Sequence, residues 1–94
     1  MIVWLYAEWA SAALQMERGP LRDPRVIAAA QRFVALRVDL TDEDDPEAQA
    51  AVKRYEVDCV PTIVLFDAKG RRAAKLDGLV DAEALASALA AVSP

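Results

Sequence analysis

The 94-residue sequence has no histidine and one cysteine, Cys59. Those two shortages exclude Ser-His and Cys-His nucleophilic catalysis, and they exclude the usual zinc frameworks, which draw several ligands from Cys and His. With one thiol, no intrachain disulfide can form. Long apolar runs are missing as well, so no membrane-spanning helix is expected from a chain in which nothing approaches 18 consecutive apolar residues. Basic charge is scarce and scattered: eight Arg and three Lys face fifteen Asp and Glu, for a net charge of -4. Phosphate binding wants clustered cations, so nucleic acid is excluded as an expected partner. No basic segment followed by an apolar stretch and a cleavage site opens the chain, and no targeting signal is expected.

What is present is a globular sequence, 55% apolar and without low-complexity segments. Its length suits one domain, residues 1–94, with a core large enough to fold but with little stability to spare. Ile2-Val3-Trp4-Leu5-Tyr6 is apolar on both sides of a period-two alternation, the pattern of a central strand covered on both faces. A helix is expected from Ala10 to Met16, ended or interrupted by Gly19-Pro20. Asp23-Pro24 is an N-cap followed by proline at the first helical position, opening a second short helix through about Gln31.

Phe33 to Leu40 reads as a strand parallel to the first, because a helical crossover joins them. The acidic run Thr41-Asp42-Glu43-Asp44-Asp45 leads into Pro46 and a helix through about Tyr55. Its carboxylates suit a solvated loop that favours the following helix N-terminus; a calcium loop is the other reading, and the Gly and terminal Glu of an EF-hand are missing. Thr62 to Asp67 and Arg71 to Leu76 read as strands joined through Asp67-Ala68-Lys69-Gly70. Asp81 caps a last helix with Leu85, Leu89 and Val92 on one face and Ala84 and Ala88 beside them.

The stretch around which these elements are arranged is Tyr6-Ala7-Glu8-Trp9-Ala10-Ser11-Ala12-Ala13, where a strand ends and a helix begins. A helix N-terminus offers free N–H groups and the positive end of a dipole, which acidify a thiol or hold an anion. Here the first helical positions carry alanine.

Tyr6-Ala7-Glu8-Trp9, Val60-Pro61-Thr62 and Gly78-x-x-Asp81-Ala82-Glu83 resemble, in this order, motifs of the thioredoxin superfamily. Glu17, the Asp23-Pro24-x-Val26 stretch, Phe66-Asp67 and Gly70 extend the resemblance over nearly the whole chain. Within the superfamily it is greatest to the bacterial DsbD-like domains, the C-terminal thioredoxin-like domains of membrane disulfide reductases. The resemblance implies an α/β thioredoxin-like fold, with a mixed four-stranded sheet of order 2-1-3-4, an antiparallel hairpin and helices on both faces. It also implies a cis Val60–Pro61 bond, and it begins after the extra strand and helix that full-length thioredoxins carry first.

In that family a Cys-x-x-Cys pair performs thiol–disulfide exchange, and its two positions fall on Ala10 and Ala13. The resemblance therefore implies a thiol–disulfide oxidoreductase domain, a protein disulfide reductase of cell redox homeostasis, that is redox-inactive in this chain. Two histories stay open: a replaced cysteine pair in an oxidoreductase, or a natural non-catalytic module that recognises an extended polypeptide. Trp4 stands where the family carries a buried acid that handles protons, and reads as a core aromatic.

The substrate groove implied by the resemblance comprises Trp9, Ser11, Val60, Pro61, Gly78 and Leu79, with Glu8 and Glu17 as accessory carboxylates or ordinary surface acids. Cys59, two residues before Pro61, is expected to be a small buried core residue, with a reactive thiol beside the groove as the other reading. No metal or cofactor is expected. The implied partner is a protein or peptide bearing a disulfide or thiol, met by a monomer. The implied location is periplasmic or extracytoplasmic for a DsbD-like protein and cytoplasmic otherwise.

Overall fold

The computed structural model describes residues 1–94. The elements, in order, are β1 (Ile2–Tyr6), α1 (Ser11–Arg18), a 3-10 turn (Pro20–Arg22), α2 (Pro24–Ala30), β2 (Ala35–Asp39), α3 (Pro46–Tyr55), β3 (Thr62–Phe66), β4 (Arg72–Asp77) and α4 (Ala82–Ala91). The strands form one sheet of order β2-β1-β3-β4. β1 runs parallel to β2 and antiparallel to β3, with Trp4 opposite Arg37 on one side and Ile63 on the other. This is the α/β thioredoxin-like fold.

β1 is central because both of its faces are apolar. Trp4 points into a core built with Met16, Val26, Ile63, Leu65, Leu85 and Leu89, the side of α1, α2 and α4. Val3 and Leu5 point the other way, into a smaller core with Leu40, Ala48, Tyr55 and Val64. One residue of slip would exchange the two sets, so the pattern pins the register.

Helix boundaries follow local chemistry. Asp23, Asp45 and Asp81 each accept a bond from a backbone N–H in the first turn of α2, α3 and α4. Pro24 and Pro46 occupy the first turn, where no N–H is needed. α1 ends at Gly19, whose N–H donates to the Gln15 carbonyl, and Pro20 opens the 3-10 turn.

Several sequence expectations shift. α1 starts at Ser11 and runs on to Arg18, with Ala10 as the N-cap. Phe33 lies before β2: its N–H closes a turn onto the Ala30 carbonyl, and its ring is buried against the larger core. Arg71 belongs to the hairpin turn, not to β4, because its N–H and carbonyl are both engaged by Asp67. That turn has Gly70 at φ 77°, a left-handed conformation that suits glycine. On α4, Leu85 and Leu89 are buried, as is Val92 at the C-cap just beyond the helix, but Ala84 is exposed and Ala86 packs against the core in its place.

Candidate functional site

The β1–α1 junction is held by a small polar network. The Trp9 Nε1–H donates to the Thr41 carbonyl at 3.1 Å, and the Glu8 N–H donates to Thr41 Oγ1 at 2.9 Å. Thr41 in turn donates from its hydroxyl and its N–H to Asp39 Oδ1. These bonds, the hydroxyl first, hold the Asp39 carboxyl below the usual carboxylate range, with help from the Arg37 charge. The end of β2 thereby fixes the tryptophan, which remains 59% exposed.

Behind Trp9, Ala10 has the extended backbone of an N-cap (φ -87°, ψ 111°) and no side chain that could cap. The Ser11 and Ala12 N–H groups have no acceptor within the chain, and no acid lies in the first turn of α1. Ala10 and Ala13 are both buried in the larger core, and Ser11 is exposed. The junction presents free helix N–H groups over two methyl groups, and the only polar side chain between them is the exposed Ser11 hydroxyl.

A second wall comes from the segment before β3. Pro61 is fully buried, and its carbonyl accepts from the Gly78 N–H at 2.8 Å. The Val60–Pro61 peptide bond is cis, and Gly78 sits at φ 75°, where glycine avoids strain. Neither the N–H nor the carbonyl of Val60 is bonded within the chain. Val60 and Trp9 line one recess of about 350 Å³. Leu79, more than half exposed, lies away from that recess, beside Gln15, Pro20 and Asp81.

Glu8 and Glu17 share a different recess with Tyr6, Ala13 and Arg37 on the β2 side. Glu17 is paired with Arg37 at 3.2 Å, and the Arg37 guanidinium lies 4.7 Å over the Tyr6 ring. Glu17 is therefore a structural ion-pair partner in this fold, and Glu8 an exposed acid beside Trp9.

Cys59 is exposed, which overturns the expected burial. The segment between α3 and β3 is anchored by its neighbours: Val57 and Val60 pack against the smaller core, and the Cys59 carbonyl accepts from the Thr62 hydroxyl at 2.7 Å. With those anchors set, the cysteine side chain turns outward. Asp58 beside it pairs with Lys75 at 3.0 Å, which holds the Lys75 ammonium above its ordinary pKa. No three His, Cys, Asp or Glu side chains converge as metal ligands, and Asp42 and Asp45 instead accept bonds from nearby backbone N–H groups. No helix is long and apolar enough to cross a membrane.

Comparison with known proteins agrees with the fold. The family described as thioredoxin-like domain matches residues 1–93. The thiol:disulfide interchange protein DsbD of Haemophilus influenzae is 32% identical over 90 residues, 94% of this chain. DsbD of Pectobacterium atrosepticum is 33% identical over 92 residues, 96% of this chain. The chain spans 15% and 16% of the length of those two relatives. Among solved structures, the C-terminal domain of Neisseria meningitidis DsbD in its reduced form superposes with a TM-score of 0.84 at 25% identity, covering 98% of this chain and 79% of that one. A thioredoxin from Thermus thermophilus gives 0.80 at 29% identity, covering 96% and 70%.

Proposed function

The chain belongs to the thioredoxin-like domain family, and from that premise we propose that it is a single DsbD-type domain, residues 1–94, disabled for dithiol exchange and still able to hold an extended polypeptide. The observation behind the first half is the pair of alanines, Ala10 and Ala13, at the N-cap and first turn of α1. Exchange needs a thiolate to attack the substrate disulfide and a second thiol to resolve the mixed disulfide. A methyl group supplies neither, and Cys59 is a lone thiol. No tuning of the surroundings offsets that loss.

The second half is supported by the groove. Val60 offers an unpaired N–H and carbonyl, the arrangement a strand-like ligand can complete. Trp9 and Val60 line one recess, and the Gly78 N–H bonded to the Pro61 carbonyl supports the segment behind Val60; the proposed groove extends from there to Ser11 and Leu79. A non-catalytic module recognising such a segment is the second reading, favoured by the bonds that keep Trp9 in place without a cysteine beside it. The partner in either case is a protein or peptide, met without a cofactor.

Insulin reduction by dithiothreitol tests the assignment. This chain should give no rate above a control without protein. The Ala10→Cys/Ala13→Cys variant should be active, because an N-cap outside the regular helix lets the two Cβ atoms approach to the ~3.5–4.5 Å a disulfide needs. Its first thiol, facing the free N–H groups of α1, should titrate below ~8.5. Turnover should still lag, since Trp4 leaves no buried acid to take the second thiol's proton. Catalysis by the unaltered chain would overturn the assignment, and so would a first thiol at or above the free value.

A further inference from the structure

Between Trp9 and α3 lies a recess whose apolar walls are Trp9, Leu40, Ala48, Val52 and Val60, with Glu43 at its edge. Its volume, about 350 Å³, accommodates one leucine- or phenylalanine-sized side chain. The walls are fixed before any ligand arrives. Trp9 is bonded to Thr41, and the Gln49 amide donates to the Glu43 carbonyl at 3.0 Å, tying the loop to α3.

The rim is acidic and uncompensated. Glu43 at the edge and its chain neighbours Asp42 and Asp44 are exposed, and none takes part in an ion pair. No cation occurs between Arg37 and Lys53. Arg37 is held by Glu17, and Lys53 and Arg54 lie in the last turn of α3. An apolar hole with one unpaired carboxylate at its edge and two more beside it on the same loop attracts an apolar side chain with cationic neighbours and repels the same side chain between acids.

We propose that this recess is a selectivity pocket, and that the segment held beside Val60 carries a bulky apolar residue flanked by Lys or Arg. The assignment rests on the groove reading given above and names the class of peptide that groove accepts. Val60 links the two: its free backbone groups pair with the segment, and its side chain is a wall of the pocket. Side chains of an extended segment alternate in direction, so one residue can enter the pocket while its neighbours stay near the rim.

Three fluorescein-labelled decapeptides in a Gly/Ser background test it by anisotropy at low salt: phenylalanine between two lysines, phenylalanine between two glutamates, and alanine between two lysines. Exposed charge contacts are individually weak, so replacing two attractions by two repulsions should weaken binding about tenfold. Loss of the apolar anchor should cost about tenfold or more. Glu43→Lys should erase the preference for lysine flanks, and Val52→Gln the preference for phenylalanine. The indole N–H resonance of Trp9 should move on binding, and that of Trp4 should not. Equal binding of the lysine and glutamate peptides, or a preference untouched by Glu43→Lys, overturns the pocket while leaving the groove. If no peptide moves Trp9, the groove reading itself falls, and the pocket with it.

Discussion

The two tryptophans of the β1–α1 junction divide the work of this domain between packing and display. Trp4 is 7% exposed and Trp9 59% exposed, yet the buried indole is the one without a hydrogen-bond partner and the exposed indole has one. Buried indoles ordinarily find an acceptor, since an orphaned polar group costs about 1–3 kcal/mol. At Trp4 the apolar area outweighs that cost: the ring stacks on Tyr6 at 6.2 Å and fills the larger core. At Trp9 a surface ring is pinned by a bond it does not need for solubility. Its orientation is a feature of the fold, which a binding surface requires and a core does not.

Alanine substitution at the two positions should separate these roles. Trp4→Ala should destabilise by about 3–5 kcal/mol, the range for emptying a large buried aromatic site. Trp4→Phe should cost far less, because removing the orphaned N–H offsets part of the lost area. Trp9→Ala should cost about 1 kcal/mol or less and should abolish peptide binding. Urea unfolding and anisotropy measure both quantities; comparable destabilisation at the two positions would break the contrast.

Much of this was legible in the chain. The Asp-Pro pairs at Asp23 and Asp45, the Asp81 cap and the Gly19-Pro20 break mark the helices, because capping is local chemistry between residues two or three apart. The alternation of Val3, Trp4 and Leu5 marks the central strand and both of its cores. Long-range satisfaction left no such mark. The Trp9–Thr41 bond spans 32 residues, and nothing near Trp9 names its acceptor. The Glu17–Arg37 pair was hidden for the same reason. Cys59 misled because a small apolar residue beside a strand reads as core, whereas Val57 and Val60 had already supplied the anchors.

A smaller effect should follow Thr41→Val, which keeps the shape and deletes the hydroxyl. Two bonds are lost, from the Glu8 N–H and to Asp39. About 1 kcal/mol of stability should go with them. The carbonyl that holds the Trp9 indole remains, on a loop less firmly tied. Hydrogen exchange at the Trp9 indole should accelerate while that at Trp4 stays slow; equal rates in the variant and the parent chain would detach Thr41 from the display of Trp9.

The mildest perturbation of the contrast is acid. Asp39 is held below the usual carboxylate range, first by the Thr41 hydroxyl and then by the Thr41 N–H. Asp67 is lowered chiefly by the Arg71 N–H, and Asp23 chiefly by the Arg25 guanidinium. Each folded-state value lies below the unfolded value near ~3.9, so the stability each carries is fully present above that value and is lost as the pH falls through the folded pKa. The urea midpoint should therefore be insensitive to these groups above about pH 5 and decline below about pH 4. Only one of the three carboxylates reaches a tryptophan, and it does so through Thr41. Protonating Asp39 should loosen Thr41 and shift the Trp9 indole resonance, whereas protonating Asp23 or Asp67 should not. In Asp39→Asn that acid-induced shift should disappear, while Asp67→Asn should retain it. A Trp9 signal that titrates unchanged in Asp39→Asn would show that the exposed indole is held independently of the end of β2.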